Sequence, residues 1–195
     1  GTDLLVADRL FATLDTTVRA LHPETVPRIL VCDTVGFIKK LPHDLVASFR
    51  STLDEAREAD LLLHVVDAAD PDFPAQIAVT TEVLAEIGAE QQPRLLVLNK
   101  ADKLDAARRA ALAAAHPDAL LMSARASADV AALHARIVAF FERDMVETEL
   151  TVPYARHHLL GEIHASCRVL AERYDEQGRH LRVRARPAVL ARLRA

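Results

Sequence analysis

Three short apolar runs, each closed by a polar residue, alternate with stretches whose apolar positions recur every three to four residues. Residues 28–32 (Arg-Ile-Leu-Val-Cys) lead into Asp33, residues 61–66 (Leu-Leu-Leu-His-Val-Val) into Asp67, and residues 94–98 (Arg-Leu-Leu-Val-Leu) into Asn99. A weaker fourth run, residues 119–122, leads into Ser123. None alternates apolar with polar, so each reads as a strand covered by helices on both faces. The intervening segments read as helices. Residues 43–58 carry Leu45, Phe49, Leu53 and Ala56 at helical spacing, and residues 74–87 gather Ile77, Val83, Leu84 and Ile87 behind Pro74, which suits a first turn. Residues 104–115 are Ala-rich and stop near His116-Pro117, and residues 127–144 carry Val130, Leu133, Ile137, Phe140 and Phe141. Such alternation implies an α/β domain with a mostly parallel, doubly wound sheet.

The pattern changes after about residue 147. Thr151-Val152-Pro153-Tyr154 reads as a short strand, residues 157–173 as an amphipathic helix, and residues 174–178 as a turn. Leu181, Val183 and Ala185 then alternate with Arg182, Arg184 and Arg186, which predicts a strand with one apolar and one basic face. The expectation is an α/β domain over 1–147 followed by a small α+β domain over 148–195.

Charge supports that division. Residues 151–195 hold nine Arg against four acids, a net +5, while residues 1–150 carry a net −9, giving −4 in all. A basic tail on an acidic body either meets nucleic acid or is a solvated face. Aromatic residues make up 4% of the chain, so the core must be Leu, Val, Ile and Ala. The two cysteines, Cys32 and Cys167, form neither a disulfide framework nor a metal spacing, which fits a reducing, cytoplasmic setting. No apolar run is long enough for a membrane span, and no secretory leader is visible. His157 and His158 are adjacent and so point about 100° apart on a helix, which does not make a metal pair.

Ligands of open α/β sheets bind at the carboxyl ends of the strands. The residues leaving those ends are Asp33, Asp67, Asn99 and Ser123, all polar. In Asp33-Thr34-Val35-Gly36 a carboxylate suited to Mg²⁺ precedes a glycine whose N–H can approach a phosphate. This D-x-x-G pattern is weak alone, because roughly half of chains this long contain one by chance. Asn99-Lys100-Ala101-Asp102 is far more specific, with N-K-x-D expected in only about 2% of such chains. Its carboxylate can accept hydrogen bonds from N1–H and the 2-amino group of guanine, whereas adenine would leave it unpaired. The lysine stem can lie along the base, and the asparagine can tie adjacent loops together. Met122-Ser123-Ala124-Arg125 is a third loop, in which a backbone N–H could meet the guanine O6.

These pieces stand in the order and spacing of a GTPase. Together with Leu10-Phe11-Ala12-Thr13-Leu14-Asp15, Phe37-Ile38, Leu41-Pro42-His43-Asp44-Leu45, Ser51-Thr52-Leu53-Asp54-Glu55 and Leu63-His64-Val65-Val66-Asp67-Ala68-Ala69-Asp70, they closely resemble HflX, a family of ribosome-associated GTPases of the Obg-HflX superfamily. The resemblance covers nearly the whole chain, including Val152-Pro153-Tyr154 and the 174–178 turn, which resemble that family's small C-terminal domain. It implies a P-loop NTPase-type G domain, GTP/GDP as ligand and Mg²⁺ as cofactor. Thr13 would be the first-switch threonine on Mg²⁺, and Asp33 and Gly36, with Thr34 and Val35 between them, would sense Mg²⁺ and the γ-phosphate. Asn99, Lys100 and Asp102 would read the base, supported by Ser123, Ala124 and Arg125, and residues 37–58 would be the second switch and its helix. Phe37 follows the glycine where Ras-like enzymes carry a water-positioning glutamine, so no residue here is assigned to catalysis and intrinsic hydrolysis is expected to be slow. The implied partners are the large (50S) ribosomal subunit and its RNA, met by a monomer that couples GTP to ribosome splitting or rescue.

One element of such enzymes has no counterpart here. The five glycines are Gly1, Gly36, Gly88, Gly161 and Gly178, none precedes a lysine, and no G-x-x-x-x-G-K-[S/T] loop occurs. The expectation is that the P-loop, the first, central strand and an N-terminal domain lie outside these 195 residues, truncation being the expected reason. The chain alone should then bind GTP poorly, hydrolyse it negligibly, and leave its sheet with a gap or a new pairing. Two alternatives stand beside this reading: a non-hydrolysing interaction module, and another translation GTPase of the Obg- or Era-like kind.

Overall fold

The computed structural model describes residues 17–33 and 55–194. The described residues fold as two compact units, one built on residues 33 and 55–131 and the other on residues 18–32 and 132–194. In chain order the strands and helices are β1 (Thr17–Ala20), β2 (Leu30–Asp33), β3 (Leu62–Asp67), α1 (Phe73–Glu86), β4 (Arg94–Asn99), α2 (Ala106–Ala115), β5 (Leu120–Leu121), α3 (Ser127–Glu142), β6 (Val146–Val152), α4 (Leu159–Ser166), β7 (Arg168–Asp175), β8 (Gly178–Ala185) and α5 (Pro187–Arg194).

In the first unit β3, β4 and β5 form a parallel sheet in that order. Successive strand residues point to opposite faces, and consecutive Val97 and Leu98 on β4 are 1% and 0% exposed. The central strand is therefore covered on both sides, as its unbroken apolar run requires. Val66, Ala68, Phe73, Leu98 and Leu104 make one buried cluster, and Ala56, Leu84 and Ala89 make another. Helix α1 has Pro74 in its first turn. Helix α2 is capped by Asp105, whose side chain accepts the Arg108 N–H at 2.7 Å. Both are the expected helices, α1 displaced by one residue towards the N-terminus and α2 starting two residues later.

Strand β2 departs from its expectation. Residues 28–32 have the apolar run of a strand buried in the parallel sheet, yet all four residues of β2 are exposed, Leu30 at 58%. Among the described residues β2 pairs only with β1, a strand that no periodicity announced. An apolar run records what cover a strand is suited to, not which neighbour is there to supply it. On the parallel sheet, β3 is an edge strand among the described residues: Val65 is 54% exposed, and His64 Nε2 is buried without a hydrogen-bond partner. Burial, with Arg94 adding to it, holds the His64 imidazole below its usual pKa. Of the expected 43–58 helix, residues 43–54 lie outside the described residues.

In the second unit β6, β8 and β7 form an antiparallel sheet with β8 in the middle. The period-2 reading of β8 holds: Leu181, Val183 and Ala185 are fully buried, while Arg182 is exposed and Arg184 partly so. With Leu150, Val152, Ile163, Cys167, Leu190 and Leu193 they form one apolar core. The expected helix over 157–173 is corrected. Only residues 159–166 are helical, and from Arg168 the chain turns into β7. Apolar spacing over 157–170 suits a helix, but residues 168–175 find a ladder partner in β8 through the tight 175–178 connection, and tertiary pairing overrides local preference. The expected short strand at 151–154 is the end of the longer β6. Gly178 has φ +142°, and a Cβ there would sit 2.3 Å from the Val152 carbonyl oxygen, so only glycine lets β8 start this close to β6. No described helix is long and apolar enough to cross a membrane.

Candidate functional site

Parallel register decides which polar residues meet. Asp67 stands beside Asn99 where β3 and β4 end, and Leu98 beside Leu121 where β5 ends. Three loops therefore leave the sheet side by side. Their backbones are stitched together: the Ala68 N–H donates to the Asn99 carbonyl at 2.9 Å, the Met122 N–H to Leu98 at 2.9 Å, and the Ala101 N–H to Met122 at 3.0 Å.

The side chains complete the lock. Asn99 Oδ1 accepts the Lys100 N–H at 2.7 Å and the Ala124 N–H at 3.0 Å, so one amide oxygen ties two loops. Lys100 holds a left-handed backbone, φ 63°, a conformation costly for a side chain with a Cβ. Its Nζ lies 2.7 Å from Asp67 Oδ2. That hydrogen bond, above all, holds the Asp67 carboxyl below the usual carboxylate range. The αL residue turns the chain so that Asp102 faces the third loop, where Ser123 Oγ donates to Asp102 Oδ1 at 2.6 Å. The Ser123 bond is the largest cause, with Arg125 contributing, of a lowered Asp102 pKa. Arg125 Nη1 lies 3.9 Å from the other carboxylate oxygen.

Ser123 is the one buried polar residue among those described, and it is fully used. Its Oγ also accepts the Arg125 N–H at 3.2 Å, and its own N–H donates to Asp129 Oδ2 at 2.8 Å from the first turn of α3. Asp102 is left as an ionised acceptor at a loop surface, steadied by a hydroxyl and a guanidinium. That is the equipment needed to receive two parallel N–H donors from a flat heterocycle. The Ala124 N–H already donates across to Asn99 and the Arg125 N–H to Ser123 within its own loop, so a base carbonyl would compete with Asn99 and Ser123 for them.

The structure thus gathers Asn99, Lys100, Asp102, Ser123, Ala124 and Arg125. Asp33 closes β2, is exposed, and belongs to the β1–β2 pair rather than to the sheet that carries these loops. Thr13, Thr34, Val35 and Gly36 lie outside the described residues. An exposed carboxylate such as Asp33 is the donor type that Mg²⁺ takes when phosphate and water supply its other ligands. Two contributors escaped the sequence reading. In the sequence Asp67 reads as a polar strand end, and the signal that points to its role is the register that sets it beside Asn99. Asp129 carried the weaker signal of an acid in a first helical turn.

A parallel sheet with helices between its strands and three interlocked loops at their carboxyl ends has the architecture of a G domain. Residues 1–100 match the family described as 50S ribosome-binding GTPase. The chain is 63% identical over 194 residues to the GTPase HflX of Gluconacetobacter diazotrophicus, covering 100% of this chain and 43% of that protein. It is 38% identical to the GTPase HflX of Magnetococcus marinus, covering 97% of this chain and 44% of that one. The solved complex of SsGBP with GDP is similar at 25% identity and a TM-score of 0.50, over 62% of this chain and 40% of that chain. This chain belongs to the HflX family of ribosome-binding GTPases, and it spans less than half the length of these relatives.

Proposed function

We propose that these residues are the base-reading part of a GTPase that binds GTP and GDP, engages the large ribosomal subunit and its RNA, and couples the nucleotide cycle to ribosome splitting or rescue in the cytoplasm. The observation that carries the reading is Asp102: a carboxylate kept ionised by Ser123, aimed by an αL lysine, and fixed by the Asn99 bridge between two loops. Guanine satisfies it through N1–H and the 2-amino group, and adenine does not. Lys100, positioned by Asp67, would lie along the base.

The phosphates need a different cradle. These 195 residues contain no G-x-x-x-x-G-K-[S/T] loop, and the amides and lysine of such a loop supply much of triphosphate binding. Mg²⁺ would be held by Asp33 and Thr13 and would neutralise phosphate charge. The edge of β3, open among the described residues, leaves Val65 exposed and would accept a further strand. The small domain proposed over 148–195 would act with the G domain as a monomer. The missing phosphate cradle also supports a second reading, in which this stretch alone is an interaction module without turnover.

A titration separates the two. The 195-residue chain and a full-length HflX relative are each titrated with GTP, ATP and guanosine and sedimented with 50S subunits. The first reading expects guanosine to bind both weakly, GTP to bind the long protein far more tightly, and ATP to bind neither. Equal affinity of the chain for ATP and GTP would refute base reading, and full turnover by the chain would refute the missing cradle.

A further inference from the structure

We propose that the free edge of β6 is a docking groove for an extended, acidic peptide segment of a partner protein. Among the described residues β6 pairs only with β8, so its other edge is open. A cleft of about 200 Å³ runs along that edge. Its lining includes four consecutive strand residues, Glu149, Leu150, Thr151 and Val152. Neighbouring strand residues face opposite ways, so a run of four can line one cleft only along the strand's edge, where its backbone groups stand.

The chemistry of the cleft favours a peptide strand. Leu150, Val152, Ile163 and Leu193, buried members of the apolar core, form the bottom of the cleft between the strand and helices α4 and α5. Every second side chain of an added strand would meet that floor, while its backbone pairs with β6. Two cations flank the floor. Arg194 is held at the strand by an Nη2 hydrogen bond to Thr148 Oγ1 at 2.8 Å, which leaves most of its donor fork unused. Arg156 is exposed and its side chain forms no hydrogen bond or ion pair with a described residue. The acid in the lining is directed elsewhere. Glu149 lies in register with exposed Arg182, and Thr151 reaches His180 Nδ1 at 3.1 Å, so both side chains belong to the sheet's other face. The groove therefore presents guanidinium groups to a visitor, which selects carboxylates. RNA fits less well, because no aromatic side chain lines the cleft on which a base could stack.

The test titrates the 195-residue chain with a capped, fluorescent peptide alternating Leu with Glu, read by anisotropy. Binding should be saturable, fall about tenfold or more in Arg156→Glu, and stay within about threefold in Arg156→Lys, as expected for a charge contact at an interface. A peptide of the same sequence with alternate amides N-methylated should not bind, nor should a Leu/Lys version. Circular dichroism checks that the Arg156 variants keep their fold. Absence of binding at millimolar peptide, equal binding of the N-methylated or Leu/Lys peptide, or indifference to Arg156→Glu each overturns the proposal. So does tighter binding of oligouridine at the same residues, which would assign the groove to RNA. A concentration-dependent dimer that excludes the peptide would assign it to a second copy of the chain.

Discussion

The two sheets of this protein use polar residues in opposite ways. In the parallel sheet β3–β5 the polar groups are concentrated at one end, where Asp67, Asn99, Lys100, Asp102 and Ser123 bond to one another across three loops. In the antiparallel sheet β6–β8–β7 they are spread along a face and paired locally: Arg182 with Glu147 at 3.3 Å, Arg184 with Glu142 at 3.6 Å, and Arg179 with Glu172 at 3.1 Å. The first arrangement holds three loops in fixed relation, because its bonds run from one loop to another. The second keeps a surface solvated and contributes little stability, since exposed ion pairs are worth about 0–1 kcal/mol.

The largest expected effect tests the first sheet. Asp102→Asn should lower guanosine affinity about a hundredfold or more, because a carboxylate that accepts two donors is replaced by an amide that cannot. Xanthosine, with an oxo group in place of the 2-amino group, should bind the variant better than the parent. Calorimetry or NMR titration with both nucleosides decides it, and unchanged guanosine affinity would remove Asp102 from the site.

Next comes the core of the second sheet. Leu181→Ala, at a fully buried position, should destabilise that unit by about 2–5 kcal/mol. Urea unfolding followed by NMR should show the loss in β6–β8 with guanosine binding retained. Loss of both together would mean that the two sheets do not behave as separable parts.

Ser123→Ala should shift the acid limb of base binding upward. Ser123 depresses the folded-state pKa of Asp102. The interaction is therefore fully present above the ordinary carboxylate value, about 3.9, and is lost as pH falls through the lower folded value. Without the hydroxyl the loss begins at a higher pH. NMR titration of the Asp102 carboxyl reads this directly, and an unmoved midpoint would sink it. Asp67→Asn is milder: it removes the charge from an exposed pair with Lys100, so guanosine affinity should fall only about threefold, in line with other exposed pairs. An effect as large as that of Asp102→Asn would make Asp67 a base contact rather than a positioning residue.

The smallest effect belongs to the basic face. Arg182 and Arg184 have acid partners, and the Arg186 guanidinium lies 5.6 Å from the centre of the Phe141 ring. Those contacts favour a solvated face over an RNA contact. Replacing all three with Gln should change stability by no more than about 0.5 kcal/mol each and leave 50S co-sedimentation unchanged. A clear loss of ribosome binding would restore the RNA reading.

Much of this protein was legible residue by residue. Runs of apolar side chains ending in Asp67, Asn99 and Ser123 place strands in a parallel sheet, although cover on both faces is met only by β4, Val65 on β3 being 54% exposed. The N-K-x-D tetrapeptide announces a polar loop at a strand end, and the structure shows Asn99 and Asp102 bonded there to the loop that carries Ser123 and Ala124. The alternation of Leu181, Val183 and Ala185 with arginines likewise follows from the two-residue pleat. Pairing is what the chain did not announce. Nothing local to residues 168–175 distinguishes a helix's end from a strand until β8 supplies a ladder. Nothing in the 28–32 run reveals that β2 pairs with β1, or that among the described residues the edges of β3 and β6 are open. The same limit hid Asp67 and Asp129, which matter because the fold brings them to Lys100 and Ser123. Side-chain identity sets what each residue can bond to. Only the tertiary structure decides which groups from distant parts of the chain come within hydrogen-bond reach.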